Sequence, residues 1–316
     1  MYEKRFIANA IERSAETAVD RRKLLTLTGL AGAGAAAAAL LPAGAASAST
    51  GGVSDGTVLN FALNLEYLEA EFYLRAAYGE GLSDSMTTGK GERGNVSGGH
   101  KVPFKSKLVQ NYAHEIAKDE KQHVEFLRAA LGSARVARPA ISLDAAFTAA
   151  AVAAGVIKKG QKFDAFANDT SFLLAAFIFE DVGVTAYKGA APLITNKTYL
   201  GAAAGILAVE AYHAGLIRGA LYAEGFAAPS LFDTVQKISN VRDAVDGPTD
   251  DDQGIGNKAY SNIVPADSNA IAFGRTPSQV LNIVYLNSEA VSRGGFYPHG
   301  INGAIRTSGD NDGAGH

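Results

Sequence analysis

The 316-residue chain carries 29 basic and 32 acidic side chains, and its formal net charge of −3 argues against a nucleic-acid partner, which favours a basic surface. Hydrophobic residues make up 47% of the chain and charged residues 19%, a composition that excludes disorder throughout. Cysteine is absent, which excludes disulfides, thiolate metal sites and a cysteine nucleophile, so any metal ion must be bound by histidine, aspartate or glutamate.

Residues 1–48 have the pattern of an export signal. Arg21, Arg22 and Lys23 precede an uncharged run rich in alanine and glycine, which ends in the small residues 46–48. A charged region, an apolar region and a small-residue cleavage site occur in this order in signal peptides, and paired arginines indicate the twin-arginine route. We therefore predict cleavage after Ala48 and a periplasmic or extracellular protein without a membrane span. Retention of the run as a membrane anchor is the alternative.

Four long segments with apolar residues at helical spacing follow, and a shorter one lies between the second and the third. The capping residues and glycines at their ends place the long helices at 53–79, 105–131, 169–189 and 197–224, and the short helix at 143–157. Beyond residue 225 helical signals are short, at about 230–241 and 278–287. The sequence predicts an all-α protein with a four-helix bundle over 49–225 and an irregular extension over 226–316.

The second and fourth long helices each contain a Glu-x-x-His motif. The pairs are Glu120 with His123 and Glu210 with His213. Residues three apart share a helix face, so each pair can bind one metal ion from a single element. Glu120 has charged neighbours and could belong to a solvated face. Glu210 lies in an otherwise apolar stretch, where burial without a partner would be costly.

The first and third long helices supply further carboxylates. Glu180 follows an apolar run and must be paired with a base or bound to metal. The first helix offers Glu66, Glu69 and Glu71. An internal repeat favours Glu66, because it precedes Tyr73 by the same interval that separates Glu180 from Tyr187. Glu69 is the alternative, as an outer or alternate ligand.

The same repeat relates the second helix to the fourth, since residues 123–131 and 213–221 share His, Arg, Ala and Leu at identical offsets. The core is therefore predicted to be two helix pairs. Together they supply four carboxylates and two imidazoles, and two divalent cations would balance the four negative charges. The predicted ligands are Glu66, Glu120, His123, Glu180, Glu210 and His213.

This motif set resembles the ferritin-like superfamily, whose bundles bind two iron or manganese ions through one Glu from each of two helices and Glu-x-x-His from the other two. Asn64 and Glu66 with Tyr73 resemble the first-helix motif, and the resemblance covers residues 55–225. Residues 65–73 and 296–303 look more narrowly like the desiccation-related branch. The long first loop and the extension depart from cage ferritins, so a 24-subunit iron store is not expected.

The resemblance implies a dinuclear iron or manganese oxidoreductase acting on peroxide, dioxygen or ferrous iron. Tyr73 and Tyr187 would bond to ligand carboxylates or take part in redox chemistry, or else be ordinary core tyrosines. A non-catalytic metal-binding stress protein and an interaction scaffold are the alternatives. The expected partners are metal ions and small oxidants, and self-association is left open.

A few further side chains carry weaker expectations. Arg128 and Arg218 are expected to pair with acidic residues between helices. The acidic segment 246–252 lacks the spacing of a calcium loop and is expected to be a solvated linker. Three histidines are not expected to bind metal: His100, His114 and His299.

Overall fold

The computed structural model describes residues 53–310. The predicted export signal at 1–48 lies outside the described residues. The all-α prediction is confirmed, because long helices dominate the described chain. The four bundle helices are α1 (Asp55–Tyr78), α2 (Lys107–Leu131), α4 (Asp169–Ala190) and α5 (Lys197–Ala227).

Shorter elements complete the described chain. The remaining helices are α3 (Ala145–Ala153), α6 (Ser230–Asp246) and α7 (Pro277–Tyr285). Single 3₁₀ turns cover Asp84–Met86, Gly132–Ala134 and Ala191–Leu193. Strands β1 (Val96–Ser97) and β2 (Ile141–Ser142) pair in parallel, and β3 (Gly256–Asn257) and β4 (Tyr260–Ser261) pair antiparallel.

Side-chain caps fix where the bundle helices begin. Ser54 accepts a hydrogen bond from the amide of Thr57 at the start of α1, and Asn168 accepts one from Ser171 at the start of α4. Such caps satisfy amides that have no partner within the helix. Asp55 serves a different helix, since its carboxylate accepts from the amides of Thr195 and Asn196 just before α5. This contact fixes the start of α1 against the start of α5.

The bundle consists of two tightly packed helix pairs. Helix α1 packs mainly on α2, and α4 packs mainly on α5, in agreement with the predicted repeat. The two pairs meet through α1 with α4 and through α2 with α5. Phe72 is fully buried in the apolar core. Its ring contacts four other rings at centroid distances of 5.4–5.6 Å, those of Phe147, Phe166, Phe172 and Phe179.

The C-terminal extension packs against the bundle through buried side chains. Phe296 and Tyr297 are fully buried, and the Tyr297 hydroxyl donates to the carbonyl oxygen of Asn64 on α1 at 2.7 Å. The Asn64 side chain pairs with the backbone of Asn302 through two hydrogen bonds of 2.8 and 3.0 Å. The extension therefore contacts α1 two residues before Glu66.

The expectation that 246–252 is a solvated linker is wrong at both ends of the segment, although residues 248–250 between them are exposed. Asp246 and Asp252 are buried, and both carboxylates bind the guanidinium of Arg275, which is only 1% exposed. Arg242 joins Asp252 to Asp181 on α4, at 2.7 and 2.9 Å. Buried carboxylates need such partners, and here the arginines come from sequence positions that no local pattern connects.

Two helices among the described residues are long and apolar enough to cross a membrane by length and composition alone, Asp169–Leu193 and Lys197–Ala227. The first is mostly enclosed by the rest of the protein, as expected of a core helix. The second is buried over only about a third of its most apolar window.

Candidate metal centre

The six predicted ligands lie together at the centre of the bundle. Helices α1 and α4 supply Glu66 and Glu180, and the Glu-x-x-His pairs of α2 and α5 face them. Each of the six residues is at most 8% exposed. The i, i+3 spacing brings each histidine next to the glutamate of its own helix, as the helical period requires.

The ligand atoms form two overlapping groups, each with its atoms within 4.8 Å of one another. The first group is Glu66, Glu120, His123 and Glu210, and the second is Glu120, Glu180, Glu210 and His213. Glu120 and Glu210 belong to both. The geometry thus offers two adjacent ion positions with two shared carboxylates, and one further carboxylate and one imidazole for each.

Both imidazoles direct Nδ1 into the cluster. Nδ1 of His123 lies 3.2 Å from Glu66, 3.3 Å from Glu120 and 3.4 Å from Glu210. Nδ1 of His213 lies 3.0 Å from Glu120 and 3.6 Å from Glu180. The same nitrogen of each ring is therefore available to an ion, and the two rings are related by the internal repeat.

Two buried tyrosines connect the helix pairs at the cluster. Tyr73 on α1 donates to Glu180 on α4, and Tyr187 on α4 donates to Glu66 on α1. Burial raises the pKa of both phenols well above its usual value, and the carboxylate that each faces raises it further. Both hydroxyls therefore remain protonated and act as hydrogen-bond donors.

Glu69 is buried beside the cluster but belongs to neither ion group. Burial raises the pKa of Glu69 well above its usual value, and the charges of Glu210 and Glu120 add to the effect. Glu69 also lines a cavity of about 20 Å³ between α1, α4 and the extension, and Phe296 of the extension is another of its lining residues. This volume suits one water-sized molecule.

Gly183 on α4 leaves room for the carboxylates. A Cβ at this position would lie 2.4 Å from Oε2 of Glu210 and 3.3 Å from Oε1 of Glu69. Any side chain here would displace the shared ligand Glu210. No sequence pattern around Gly183 predicts this role.

A family model described as a ferritin-like domain matches residues 54–223, more than half of the chain. The chain belongs to the ferritin-like domain family. It is 30% identical over 272 residues to a protein named ferritin-like catalase Nec2 from Nesocodon mauritianus, covering 81% of this chain and 86% of that protein. It is 30% identical over 262 residues to desiccation-related protein PCC13-62 from Craterostigma plantagineum, covering 78% and 82%. No solved structure matches the chain significantly.

One neighbour of this ferritin-like centre was missed by the sequence analysis. The second ring nitrogen of His213, Nε2, lies 3.5 Å from a carboxylate oxygen of Asp119 on α2. A carboxylate in this position fixes the orientation of a metal-binding imidazole. Asp119 directly precedes Glu120 and is one of the charged neighbours that favour a solvated face there. Only the fold brings it to the histidine of the other helix pair.

Burial controls the charges of the ferritin-like centre. It raises the pKa of Glu66 to about 7 and raises those of Glu180 and Glu210 as well. Burial also acts to raise the pKa of Glu120, but the imidazolium of His123 outweighs it and the pKa falls below its usual range. Burial acts to lower the pKa values of His123 and His213, but the neighbouring carboxylates outweigh it, so both pKa values are raised.

The donor set fits metal ions. Several buried polar atoms of the cluster have no hydrogen-bond partner of good geometry: Oε1 of Glu120, Oε2 of Glu180, both carboxylate oxygens of Glu210 and Nδ1 of His213. Buried polar atoms are normally paired, and a cation bound at either of the two ion positions would satisfy these atoms. The family and this cluster together suggest metal binding.

The two arginines and three histidines that the sequence also singled out lie outside the metal centre. Arg218 pairs with Asp181 at 2.7 Å, as expected. The expectation for Arg128 is wrong, since it donates to the Tyr67 hydroxyl at 2.5 Å and to backbone carbonyls. Three histidines are outside both ion groups: His100, which faces Asp164, His114, whose ring packs on Tyr78, and the exposed His299.

Proposed function

We propose that this ferritin-like protein is an exported oxidoreductase that uses a dinuclear iron or manganese centre, with hydrogen peroxide as the favoured substrate and dioxygen or ferrous iron as the alternatives. One observation carries the proposal. The two ion positions share Glu120 and Glu210, so both ions would be held by common carboxylates at close range. Adjacent metal ions can exchange two electrons with one substrate molecule.

The ligand chemistry supports iron or manganese. Carboxylate oxygens and imidazole nitrogens suit these metals better than softer ones. Glu66 with His123 would complete one position, and Glu180 with His213 the other. Two divalent ions would balance the four ligand carboxylates and so offset the cost of burying them. When bound, the metals would supply one-electron steps between their divalent and trivalent states.

The protein's own groups would orient the ligands and hold protons. The Tyr73 and Tyr187 hydroxyls fix one oxygen of Glu180 and one of Glu66, which leaves the other oxygen of each carboxylate for the cluster. Glu69, with its raised pKa, can hold a proton on its carboxyl group beside Glu210. The small cavity that it lines has room for one water-sized molecule and would exclude large substrates.

The relatives support two candidates. The name of one relative, ferritin-like catalase, favours disproportionation of peroxide. The name of the other, a desiccation-related protein, favours the second candidate, a stress protein that binds metal without turnover. In that case the ions would stabilise the fold. Export by the twin-arginine route, which carries folded proteins, would allow the metals to be loaded before export.

Elemental analysis after native export tests the metal centre. We expect about two Fe or Mn ions per chain. Glu120→Ala and Glu210→Ala should each lose both ions, because each removes a shared ligand. Glu125→Ala is the matched control on α2, since its side chain is at the surface and outside both groups. Protein that binds no metal under loading conditions would contradict both candidates.

Assays on the loaded protein then separate the candidates. Peroxide consumption and ferrous oxidation should exceed the rates of the same metal free in solution if the protein is an enzyme. Rates no higher than those of free metal, with two ions bound, would reject the enzyme and leave the metal-binding stress protein.

A further inference from the structure

Helix α5 presents an uncharged, apolar face to the outside of the bundle. No charged side chain of α5 is exposed between Thr198 and Ala223, because Glu210, His213 and Arg218 are all buried. The outward positions hold glycine, alanine and Tyr212, whose side chain is 76% exposed. Phe226 extends the apolar surface at the C-terminal end.

The internal repeat provides a matched comparison in the same molecule. Positions on α2 and α5 that are 90 residues apart are equivalent, as His123 and His213 show. The outward face of α2 is polar and that of α5 is not, position by position: Glu115 corresponds to Gly205, Lys118 to Ala208, Lys121 to Ala211, Gln122 to Tyr212 and Glu125 to Gly215. The face of α2 is that of a helix in water. The equivalent face of α5 has no charged or amide side chain at any of these positions.

The glycines add an energetic argument. Glycine within a helix costs about 1 kcal/mol relative to alanine. Among the described residues, a Cβ added at Gly201, Gly205, Gly215 or Gly219 would meet nothing within 4 Å outside its own helical turn. Contacts within the described chain therefore do not account for these glycines. A helix that approaches closely from outside would require them.

We propose that the outward face of α5 is a homodimer interface, occupied by the α5 helix of a second copy of this chain in antiparallel orientation. Gly205 and Gly219 lie seven residues before and seven after Tyr212, so all three share one face. Antiparallel pairing centred on Tyr212 places Gly205 of each copy opposite Gly219 of the other. It also places Ala208 opposite Leu216. The face is therefore self-complementary about a two-fold axis, as an isologous dimer requires.

The available area is sufficient for a dimer. A 31-residue helix is about 46 Å long, and a face about 10 Å wide buries roughly 450 Å². The exposed apolar side chain of Val264, which lines the same cavity as Ala211 and Gly215, lies beside the helix and enlarges the surface. With such flanking residues each copy reaches about 600 Å², the lower bound for specific interfaces.

The molecular mass of the full-length protein in solution tests the interface, and light scattering and sedimentation measure it. One double variant is the test and a second double variant is the control. We expect a dimer at micromolar concentration. Introducing the α2 residues as G205E with A208K should reduce the mass by about half and leave the helical circular dichroism and the metal content unchanged. The control, K118A with K121A on α2, should remain dimeric.

The absence of cysteine permits a second test that does not depend on dissociating the dimer. Tyr212→Cys would place one thiol from each copy at the two-fold axis, and helices in contact through glycine bring the Cα atoms to disulfide distance. Mild oxidation should give a covalent dimer, and Gln122→Cys, at the equivalent position of α2, should not.

A monomeric wild type would overturn the proposal, and so would a dimer that survives G205E with A208K. Binding to lipid vesicles that this double variant abolishes, with a monomer in solution, would assign the face to a membrane surface instead.

Discussion

The hydroxyl of Tyr73 on α1 donates a hydrogen bond to the carboxylate of Glu180 on α4. Its repeat partner Tyr187 makes the reciprocal bond from α4 to Glu66 on α1. Each helix of this central pair therefore orients the predicted ligand of the other. The two bonds join α1 and α4 at the level of the centre, where those helices pack less extensively than either does on its own partner.

Tyr73→Phe should destabilise the metal-loaded protein. It removes a buried hydrogen bond to a charged group, which typically contributes about 2 kcal/mol, and releases one oxygen of Glu180. Chemical unfolding of the loaded protein measures the loss in free energy. Tyr187→Phe should have a similar effect, and Tyr260→Phe, at an exposed side chain, should change the stability by less than about 0.5 kcal/mol. Equal effects of all three would contradict the special role of the two buried tyrosines.

Asp119→Asn should weaken metal binding at one position of the two. Asp119 lies beside Nε2 of His213, and loss of such a partner costs about 10- to 100-fold in metal affinity. Titration with a competing chelator should show one weakened ion and one unchanged ion. The matched control is Glu125→Gln on the same helix. An unchanged titration would mean that Asp119 does not orient the imidazole.

Gly183→Ala should weaken metal binding without destabilising the metal-free protein. The new methyl group would lie 2.4 Å from Oε2 of Glu210 and must displace that flexible carboxylate, so affinity for both ions should fall by at least about tenfold. The metal-free helix should be equally stable or gain up to about 1 kcal/mol, because alanine favours a helix. Gly56→Ala on α1 is the control, since the space around it is open. Unaltered metal affinity would show that the Glu210 carboxylate can move away from the new methyl group and still bind both ions.

Stabilisation by metal should grow between pH 5.5 and pH 8. Glu66 has a folded pKa of about 7, above its unfolded value, so the metal-free fold favours the protonated acid and loses stability as the pH rises towards 7. The histidine pKa values are also raised in the fold, and their contribution likewise decreases above the unfolded value of about 6.5. The pKa of Glu120 is lowered in the fold, so its contribution to stability is lost as the pH falls, but only below about pH 4.5.

Metal ions compete with these protons, because they bind the ionised carboxylates and neutral imidazoles. Thermal unfolding with and without metal should therefore show a larger difference in Tm at pH 8 than at pH 5.5. A difference that is constant over this range would mean that no ligand releases a proton on binding.

The sequence predicted the parts of this protein that follow from helical periodicity. Glu120 and His123 share a face because they are three residues apart, and the repeat selected Glu66 because Glu180 has the same relation to its tyrosine. The structure brings the predicted ligands together. It could not be predicted that Asp119 contacts the histidine of another helix or that Gly183 leaves space for Glu210. Those relationships join residues far apart in sequence, and they depend on how the helix pairs pack.

The contacts of the C-terminal extension could not be predicted from the sequence for the same reason. The acidic run 246–252 has the composition of a solvated linker, and nothing near it in sequence supplies a counter-charge. The guanidinium of Arg275 binds Asp246 and Asp252, and that of Arg242 continues the network to Asp181, the residue after Glu180. A segment that looks like a surface loop is thus bonded to the helix that supplies a predicted ligand.

Arg275→Ala should therefore destabilise the whole protein. The guanidinium is fully buried, with Nε on Asp246 and a terminal nitrogen on Asp252, and its removal leaves two buried carboxylates without their shared partner. Breaking a buried ion pair in this way costs about 3–5 kcal/mol. Arg275→Lys should recover only part of the loss, because one ammonium group cannot reproduce the two-sided geometry of the guanidinium. Chemical unfolding measures both, with the exposed Arg293→Ala as the control, and full recovery by lysine would show that charge alone, without geometry, holds the extension on α4.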